Sequence, residues 1–291
     1  MPNKLRTFRF SCWGSALATQ LLTDEGFIFE PLPFYARAGR LTQEPKPLGS
    51  SLAAYFGHIY IQDASSMLPA LSLMHAVRYS AAQPNPAPHK ICVLDMCASP
   101  GGKSSLLSAE LKEAFVLANE PAGKRLNALR HNLHSLNMFN CASSAFDATA
   151  FPLSADNFAG WDYILLDPPC SGWGTAEKNP QVLKLWQGDK VKPLINLQKK
   201  LLTEAWRLLK PGGTLIYSTC TTNMEENEAQ TLYILDRPQG DASLLTLPLF
   251  AGFDFDEPAL GLSGVLRIAR NSSLGQGFFI AALRKAGSPV P

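Results

Sequence analysis

The sequence contains neither Gly-x-Gly-x-x-Gly nor Gly-x-x-x-x-Gly-Lys-Ser/Thr, so the usual dinucleotide fingerprint and the usual triphosphate loop are both excluded. It has no Cys-x-x-Cys pair and no cysteine–histidine spacing of a zinc site. Its cysteines, Cys12, Cys92, Cys97, Cys141, Cys170 and Cys220, are scattered, and thiols in a reducing compartment are expected, with no bound metal. No apolar run approaches the roughly 18 residues of a membrane span. The opening residues lack the apolar core of a signal peptide, so a cytoplasmic location with no membrane partner is expected. Net charge is scarce as well: 26 basic against 24 acidic residues leave +2, which gives no general nucleic-acid footprint. Internal repeats and low-complexity tracts are absent.

What is present is a 291-residue chain with 46% hydrophobic content, enough for one domain of ordinary size plus an extension. Its basic residues are unevenly placed. Lys4, Arg6, Arg9, Arg37 and Arg40 outnumber Asp24, Glu25 and Glu30 near the start, and Lys184, Lys190, Lys192, Lys199 and Lys200 cluster later. Each group reads as a solvated face or as a phosphate track, and charge alone does not choose between them.

The most informative stretch is 90–104, Lys-Ile-Cys-Val-Leu-Asp-Met-Cys-Ala-Ser-Pro-Gly-Gly-Lys-Ser. A short apolar run ends in Asp95, and Pro100, Gly101 and Gly102 lead into a helical segment at 104–112 with Leu106, Leu107 and Leu111 inward. Small residues let a backbone turn tightly beneath a ligand, and a helix start supplies NH groups there. A second apolar strand, 115–120, ends in Glu120 about twenty residues on, where a ribose-binding acid belongs in an open parallel sheet. The pattern repeats at Phe146-Asp147 and at 163–167, which closes on Asp167. Four units ending in Asp95, Glu120, Asp147 and Asp167 resemble the class I S-adenosylmethionine fold. Carboxylates suit a sulfonium, an amine and ribose hydroxyls, and would repel a pyrophosphate.

A Rossmann-like α/β domain is therefore expected at 81–291, with a seven-stranded mixed sheet and an antiparallel edge. Residues 1–80 read as a small α+β extension and RNA-docking region. They hold a helix at 16–22, a strand at 26–30, breaks at Pro31, Pro33, Pro45 and Pro47, and a strand leading into a capped helix at 57–69. A loop at 84–89 leads into the main sheet. Further helices are predicted at 124–136, 196–209 and 223–235, the last with Glu225, Glu226 and Glu228 in its first turns, and the Pro-Gly-Gly at 211–213 is taken to end the second. Strands are predicted at 161–167, 214–219, 265–269 and 277–283. His131 and His134 share a helix face and are read as exposed polar positions, not metal ligands.

Asp-Pro-Pro-Cys-Ser-Gly at 167–172 and Ser-Thr-Cys-Thr at 218–221 put Cys170 and Cys220 just beyond the carboxyl ends of adjacent central strands, facing one crevice. A thiol beside a methyl donor makes chemical sense when the acceptor carbon is not itself nucleophilic. Cytosine C5 is such a carbon, and thiolate addition at C6 makes it enamine-like. The thiol must be activated, by Lys103 or by nearby NH groups, and Asp167 is positioned to hydrogen-bond N3 and the amino group of a base drawn out of its stack. Chemistry leaves open which thiol attacks.

These motifs, with Tyr-Ile-Gln-Asp-Ala-Ser-Ser-Met-Leu-Pro at 60–69 and the closing Gly-Phe-Phe-Ile-Ala at 277–281, resemble the Nop/Sun family of RNA 5-methylcytosine methyltransferases, most of all its bacterial ribosomal-RNA members. The resemblance runs from about residue 57 to 285. It implies that Cys97, Ala98, Ser99, Pro100, Gly101, Gly102 and Lys103 line the S-adenosylmethionine site. It also implies that Glu120 holds the ribose, that Asp147 meets the adenine and that Asp167 lies between cofactor and base. It assigns attack to Cys220 and assistance in product release to Cys170. The chain departs from the family near its start, where Arg-Phe-Ser-Cys-Trp-Gly at 9–14 replaces Arg-Val-Asn-Thr-Leu-Lys and the preceding region is nearly missing, and no RNA-binding module follows Lys285.

An S-adenosylmethionine-dependent RNA cytosine-5 methyltransferase acting as a monomer is the expectation, with rRNA favoured over tRNA. A catalytically idle ribosome-assembly factor and an amino-group methylase are the alternatives. Two crevice thiols argue against the first, and Cys170 in place of the aromatic of Asn/Asp-Pro-Pro-Tyr/Phe argues against the second.

Overall fold

The computed structural model describes residues 6–11, 15–82, 90–121, 123–153 and 159–287. Cys12 and the expected loop at 84–89 lie outside them. The chain opens with β1 (Thr7–Phe10), α1 (Ser15–Asp24), β2 (Ile28–Leu32), β3 (Tyr35–Gln43), α2 (Leu52–Tyr55) and β4 (Ile59–Ile61). The four strands form an antiparallel sheet in the order β2-β3-β1-β4 over a core of Phe8, Leu22, Phe27, Leu41 and Leu48. The expected proline breaks hold at Pro33, in the turn between β2 and β3, and at Pro45 and Pro47, beyond β3, but not at Pro31. β3 runs nine residues between Pro33 and Pro45, and Pro31 sits within β2, an edge strand where a missing NH costs no ladder bond.

α3 (Ala64–Ala81) follows, capped by the Asp63 carboxylate, which accepts from the Ser65 NH at 3.1 Å. Then come β5 (Cys92–Asp95), α4 (Gly102–Glu110), β6 (Phe115–Asn119), α5 (Gly123–Ser135), β7 (Cys141–Ser144), β8 (Trp161–Leu166), α6 (Val182–Leu185), α7 (Lys192–Leu208), β9 (Leu209–Thr219), α8 (Glu228–Leu235), β10 (Ala242–Leu244), β11 (Leu266–Ile268) and β12 (Phe278–Lys285). The strand order is β10-β12-β9-β8-β5-β6-β7, with β11 also paired to β12. β5 to β9 are parallel and β12 runs antiparallel to β9.

Alternation along each strand explains why helices cover both faces. Val93, Val116, Leu165, Ile216 and Ile280 pack with α3 and α4, while Leu94, Ile164, Leu166, Leu215 and Tyr217 pack with Leu201, Leu202 and Ala205 of α7. Each fully buried side chain of this size contributes about 1.5–3 kcal/mol relative to exposure. α3, although it precedes residue 81, lies on the large sheet against β8, β9, β12 and α4. Strand order reverses between β5 and β8, so a crevice opens at their carboxyl ends, beside Asp95 and Asp167.

Four local expectations differ from the structure. The third strand ends at Ser144, which leaves Phe146 and Asp147 in the following loop. α7 begins at Lys192, with a proline in its first turn, and β9 follows without a break, so the Pro-Gly-Gly at 211–213 lies inside an eleven-residue strand. The helix expected at 223–235 is split into a 3₁₀ turn, Met224–Glu226, and α8, because the Asn227 side chain bonds outward to Thr219 and to the Thr221 carbonyl. β10 adds an eighth strand to the expected seven. Among the described residues no helix is long and apolar enough to cross a membrane.

Candidate active site

Asp95 ends β5 almost fully buried, and its Oδ2 accepts from Ser104 Oγ at 2.6 Å. Burial pushes its carboxyl up to about 6, and among the described residues Oδ1 has no hydrogen-bond partner. After Asp95 the chain turns through a cis Ser99–Pro100 bond to Gly101, whose φ of 102° suits glycine and caps α4. Gly102 follows where a Cβ would stand 3.0 Å from the Tyr60 ring and 3.2 Å from the Gln62 amide. The result is an open cleft of about 220 Å³ whose walls include Tyr60, Gln62, Asp63, Asp95, Cys97 and Lys103. Burial, reinforced by Asp95, raises the Cys97 thiol far above its ordinary range, so it lines the cleft as a neutral group.

Lys103 reaches from α4 to Asp167, with Nζ donating to Oδ2 at 2.6 Å, and Ser218 Oγ donates to Oδ1 at 3.1 Å. Burial alone would lower the Lys103 ammonium, but Asp167 outweighs it and holds the ammonium above its usual value. Glu120, which is buried, takes Arg125 Nε and Nη2, each at 3.1 Å, in a forked pair. Asp147 is exposed and accepts from the Thr149 NH and hydroxyl, both at 2.8 Å; those bonds hold it below the usual carboxylate range.

The two thiols meet. Cys170 Sγ lies 3.3 Å from Cys220 Sγ. Contact with Cys220, then burial, then the Asp167 and Glu226 carboxylates raise the Cys170 thiol well above its ordinary value. Backbone contacts fix this meeting. Gly174 NH donates to the Cys220 carbonyl at 3.1 Å, Gly277 NH donates to the Gly174 carbonyl at 3.2 Å, and a Cβ on Gly174 would fall 2.1 Å from the Gly277 oxygen.

Sequence reasoning missed two buried charges beside this site. Arg9, fully buried, donates through Nε to Gln62 Oε1 at 3.0 Å and through Nη2 to the Gly102 carbonyl at 3.1 Å; burial lowers it to about 10. Phe8 and Phe10 face the core of the small sheet, so alternation puts Arg9 on the other face of β1, and nothing in the local sequence shows that α4 covers that face. Glu226 was read as a helix-start acid and is instead fully buried, with acceptor oxygens filled by four donors. Of the basic residues at 1–40, Arg6, Arg37 and Arg40 pair with Glu44, Glu110 and Glu30, and Lys4 lies outside the described residues. Lys184, Lys190, Lys199 and Lys200 remain at the surface. Among the described residues no cluster of three or more His, Cys, Asp or Glu is arranged to hold a metal.

The comparison with known proteins agrees with this geometry. Residues 82–284 match the family described as 16S rRNA methyltransferase RsmB/F. The chain belongs to this family. Relatives named ribosomal RNA small subunit methyltransferase F, from Shewanella piezotolerans and Escherichia coli strain K12, are 34% and 36% identical over 273 and 271 residues. These alignments take in 92% and 91% of this chain but 55% and 53% of theirs, so the chain spans about half the length of the curated relatives it matches. A solved methyltransferase homolog from Pyrococcus horikoshii superposes with a TM-score of 0.75 at 32% identity, over 97% of this chain and 87% of that one. The large sheet is accordingly the Rossmann-like sheet of a class I methyltransferase, as the resemblance of the motifs implied.

Proposed function

We propose that the protein is an S-adenosylmethionine-dependent RNA cytosine-5 methyltransferase that acts on ribosomal RNA. The observation that carries the reading is the pair of thiols 3.3 Å apart near the Lys103–Asp167 pair, of which Lys103 also lines the cleft under Gly102. The cleft suits the cofactor chemically: a buried Asp95 oxygen has no partner among the described residues and can accept from a donor. Cys97 to Lys103 and Asp95 would hold it, with Glu120 and Asp147 as the ribose and adenine contacts. S-adenosylmethionine supplies an electrophilic methyl group carried on a sulfonium.

This chain's residues do the rest. Cys220, as thiolate, adds to cytosine C6; Asp167, in its protonated form, donates to N3 and accepts from the exocyclic amine and so stabilises the charge that builds on the ring. C5 becomes enamine-like and takes the methyl group. Removal of the C5 proton then restores the C5–C6 double bond, the C6–S bond breaks and Cys220 leaves as thiolate. The family resemblance assigns attack to Cys220, and the surroundings are compatible with it: contact with Cys220, burial and two nearby carboxylates raise the Cys170 thiol, while Cys220 lies near the Lys103 ammonium. The exposed lysines at 184, 190, 199 and 200 suit a phosphate backbone.

Incubation with labelled methyl donor and 16S rRNA, small subunits or tRNA, followed by digestion to nucleosides, tests the reading. Label in 5-methylcytidine from ribosomal RNA is expected. A different labelled nucleoside, or none from any RNA, overturns it.

A further inference from the structure

Glu226 is placed where the two cysteine loops must be kept in register. Its carboxylate accepts from the Ser171 NH at 2.9 Å, Ser171 Oγ at 2.5 Å, Gln198 Nε2 at 2.9 Å and Asn223 Nδ2 at 3.1 Å. Ser171 adjoins Cys170, and Asn223 lies three residues beyond Cys220. Gln198 also donates to the carbonyl of Pro169 at 3.0 Å, on the other side of Cys170. Ser171 Oγ meets Thr221 Oγ1 at 2.7 Å, next to Cys220, and Tyr217 donates to the Glu226 carbonyl at 2.6 Å. Residues flanking both sulfurs are thus fastened to one buried anion.

Only a carboxylate has the acceptor capacity for four inward donors. A glutamine at this position would turn an NH₂ toward groups that are themselves donors, and the two loops would part. We propose that Glu226 is the positioning residue that keeps Cys170 in contact with Cys220, so that release of the methylated base depends on it. The proposal deepens the functional reading above and rests on it for the release step. In that step a general base, a solvent water or a side chain at the site, takes the C5 proton, the C–H electrons form the C5–C6 double bond, and the C6–S bond breaks to return the Cys220 thiolate.

Two measurements on the full chain test it, with wild type, Glu226→Gln, Glu226→Asp and Ser171→Ala compared. In the RNA assay, Glu226→Gln is expected to accumulate a covalent protein–RNA adduct on denaturing gels at about tenfold or more above wild type. Its RNA KM stays within about twofold and kcat falls about tenfold to a hundredfold, the worth of one or two charge-assisted hydrogen bonds. Glu226→Asp, which keeps the charge, restores part of the turnover. A uniform loss of activity without adduct overturns the proposal.

The second measurement needs no RNA and so separates this proposal from the functional reading. Iodoacetamide labelling of Cys170, followed by peptide mass spectrometry from pH 6 to 10, is expected to shift to lower pH in Glu226→Gln, with about tenfold faster labelling at pH 8. Cys220 labelling changes less. Ser171→Ala, which withdraws one donor and keeps the anion, shifts Cys170 in the same direction by a smaller amount and stands in for Glu226→Gln if that variant does not fold. An unchanged Cys170 profile in a folded variant overturns the proposal even where wild type methylates RNA. Absence of 5-methylcytidine with wild type overturns the reading of function alone.

Discussion

Replacing Arg9 with methionine tests whether the N-terminal sheet sets the shape of the cofactor cleft. Arg9 is fully buried and holds Gln62 Oε1 at 3.0 Å and the Gly102 carbonyl at 3.1 Å, both within the cleft wall. Arg9 Nη2 also donates to Ser105 Oγ. Bonds from a charged donor are worth about 1.5–3 kcal/mol each, so the three contribute about 4.5–9 kcal/mol. Against this, burial lowers Arg9 from 12.5 to about 10, which at 1.36 kcal/mol per tenfold costs about 3 kcal/mol. The difference predicts a loss of about 1.5–6 kcal/mol for Arg9→Met, toward the lower end because methionine fills much of the space and removes the buried charge. The cleft responds as well. With the Gly102 carbonyl and Gln62 released, affinity for S-adenosylhomocysteine by isothermal titration calorimetry is expected to fall about tenfold, or 1.4 kcal/mol. Arg9→Lys, which keeps charge without the fork, falls between. An affinity within twofold of wild type, in a variant that melts well below wild type, would refute the link between the N-terminal sheet and the cleft.

Cys220→Ala is expected to abolish methyl transfer and Cys170→Ala to accumulate a covalent RNA adduct; adduct on Cys220→Ala in the same denaturing gels reverses the two roles. Asp95 is held near 6 against 3.8 unfolded, so its contribution to stability is fully present below pH 3.8 and is lost as pH rises through about 6. Asp95→Asn should therefore stabilise the free protein at pH 7–8 by about 2–3 kcal/mol in urea melts while weakening cofactor binding. At Gly174 a methyl group would enter 2.1 Å from the Gly277 oxygen and 2.8 Å from the Cys220 oxygen, so Gly174→Ala forces these backbones apart. Loss of about 3 kcal/mol or more and of methyl transfer is expected; a wild-type melting temperature would contradict the crowding seen there.

Much of the site was readable because its signals are local. An apolar strand ending in an acid and a glycine turn marks Asp95 and Gly102, and Asp-Pro-Pro-Cys marks the next strand end, so the meeting of Cys170 and Cys220 followed once both were assigned to neighbouring strands. What escaped depends on distant partners. Asn227 breaks a helix that its propensity pattern supports, because Thr219 and Thr221 compete for its side chain. Arg9 follows strand alternation, but the face it occupies is buried because Gln62 and Gly102, more than fifty residues away, receive it. Glu226 resembles any acid at a helix start until Ser171, Gln198 and Asn223 are seen around it. β3 was hidden because prolines on both sides suggest interruption, whereas here they bracket a strand.

The position of α3 carries a consequence for how such a protein can be divided. Met67, Leu68, Leu71, Leu73 and Met74 are buried against the large sheet and α4, although the helix is joined directly to β4 of the small one. A fragment starting at residue 81 would bare a greasy flank of the catalytic half, and one ending there would carry a sticky, unpartnered rod. Viable recombination between homologues should therefore place its crossover ahead of Asp63, so that each inherited catalytic half brings its own roof.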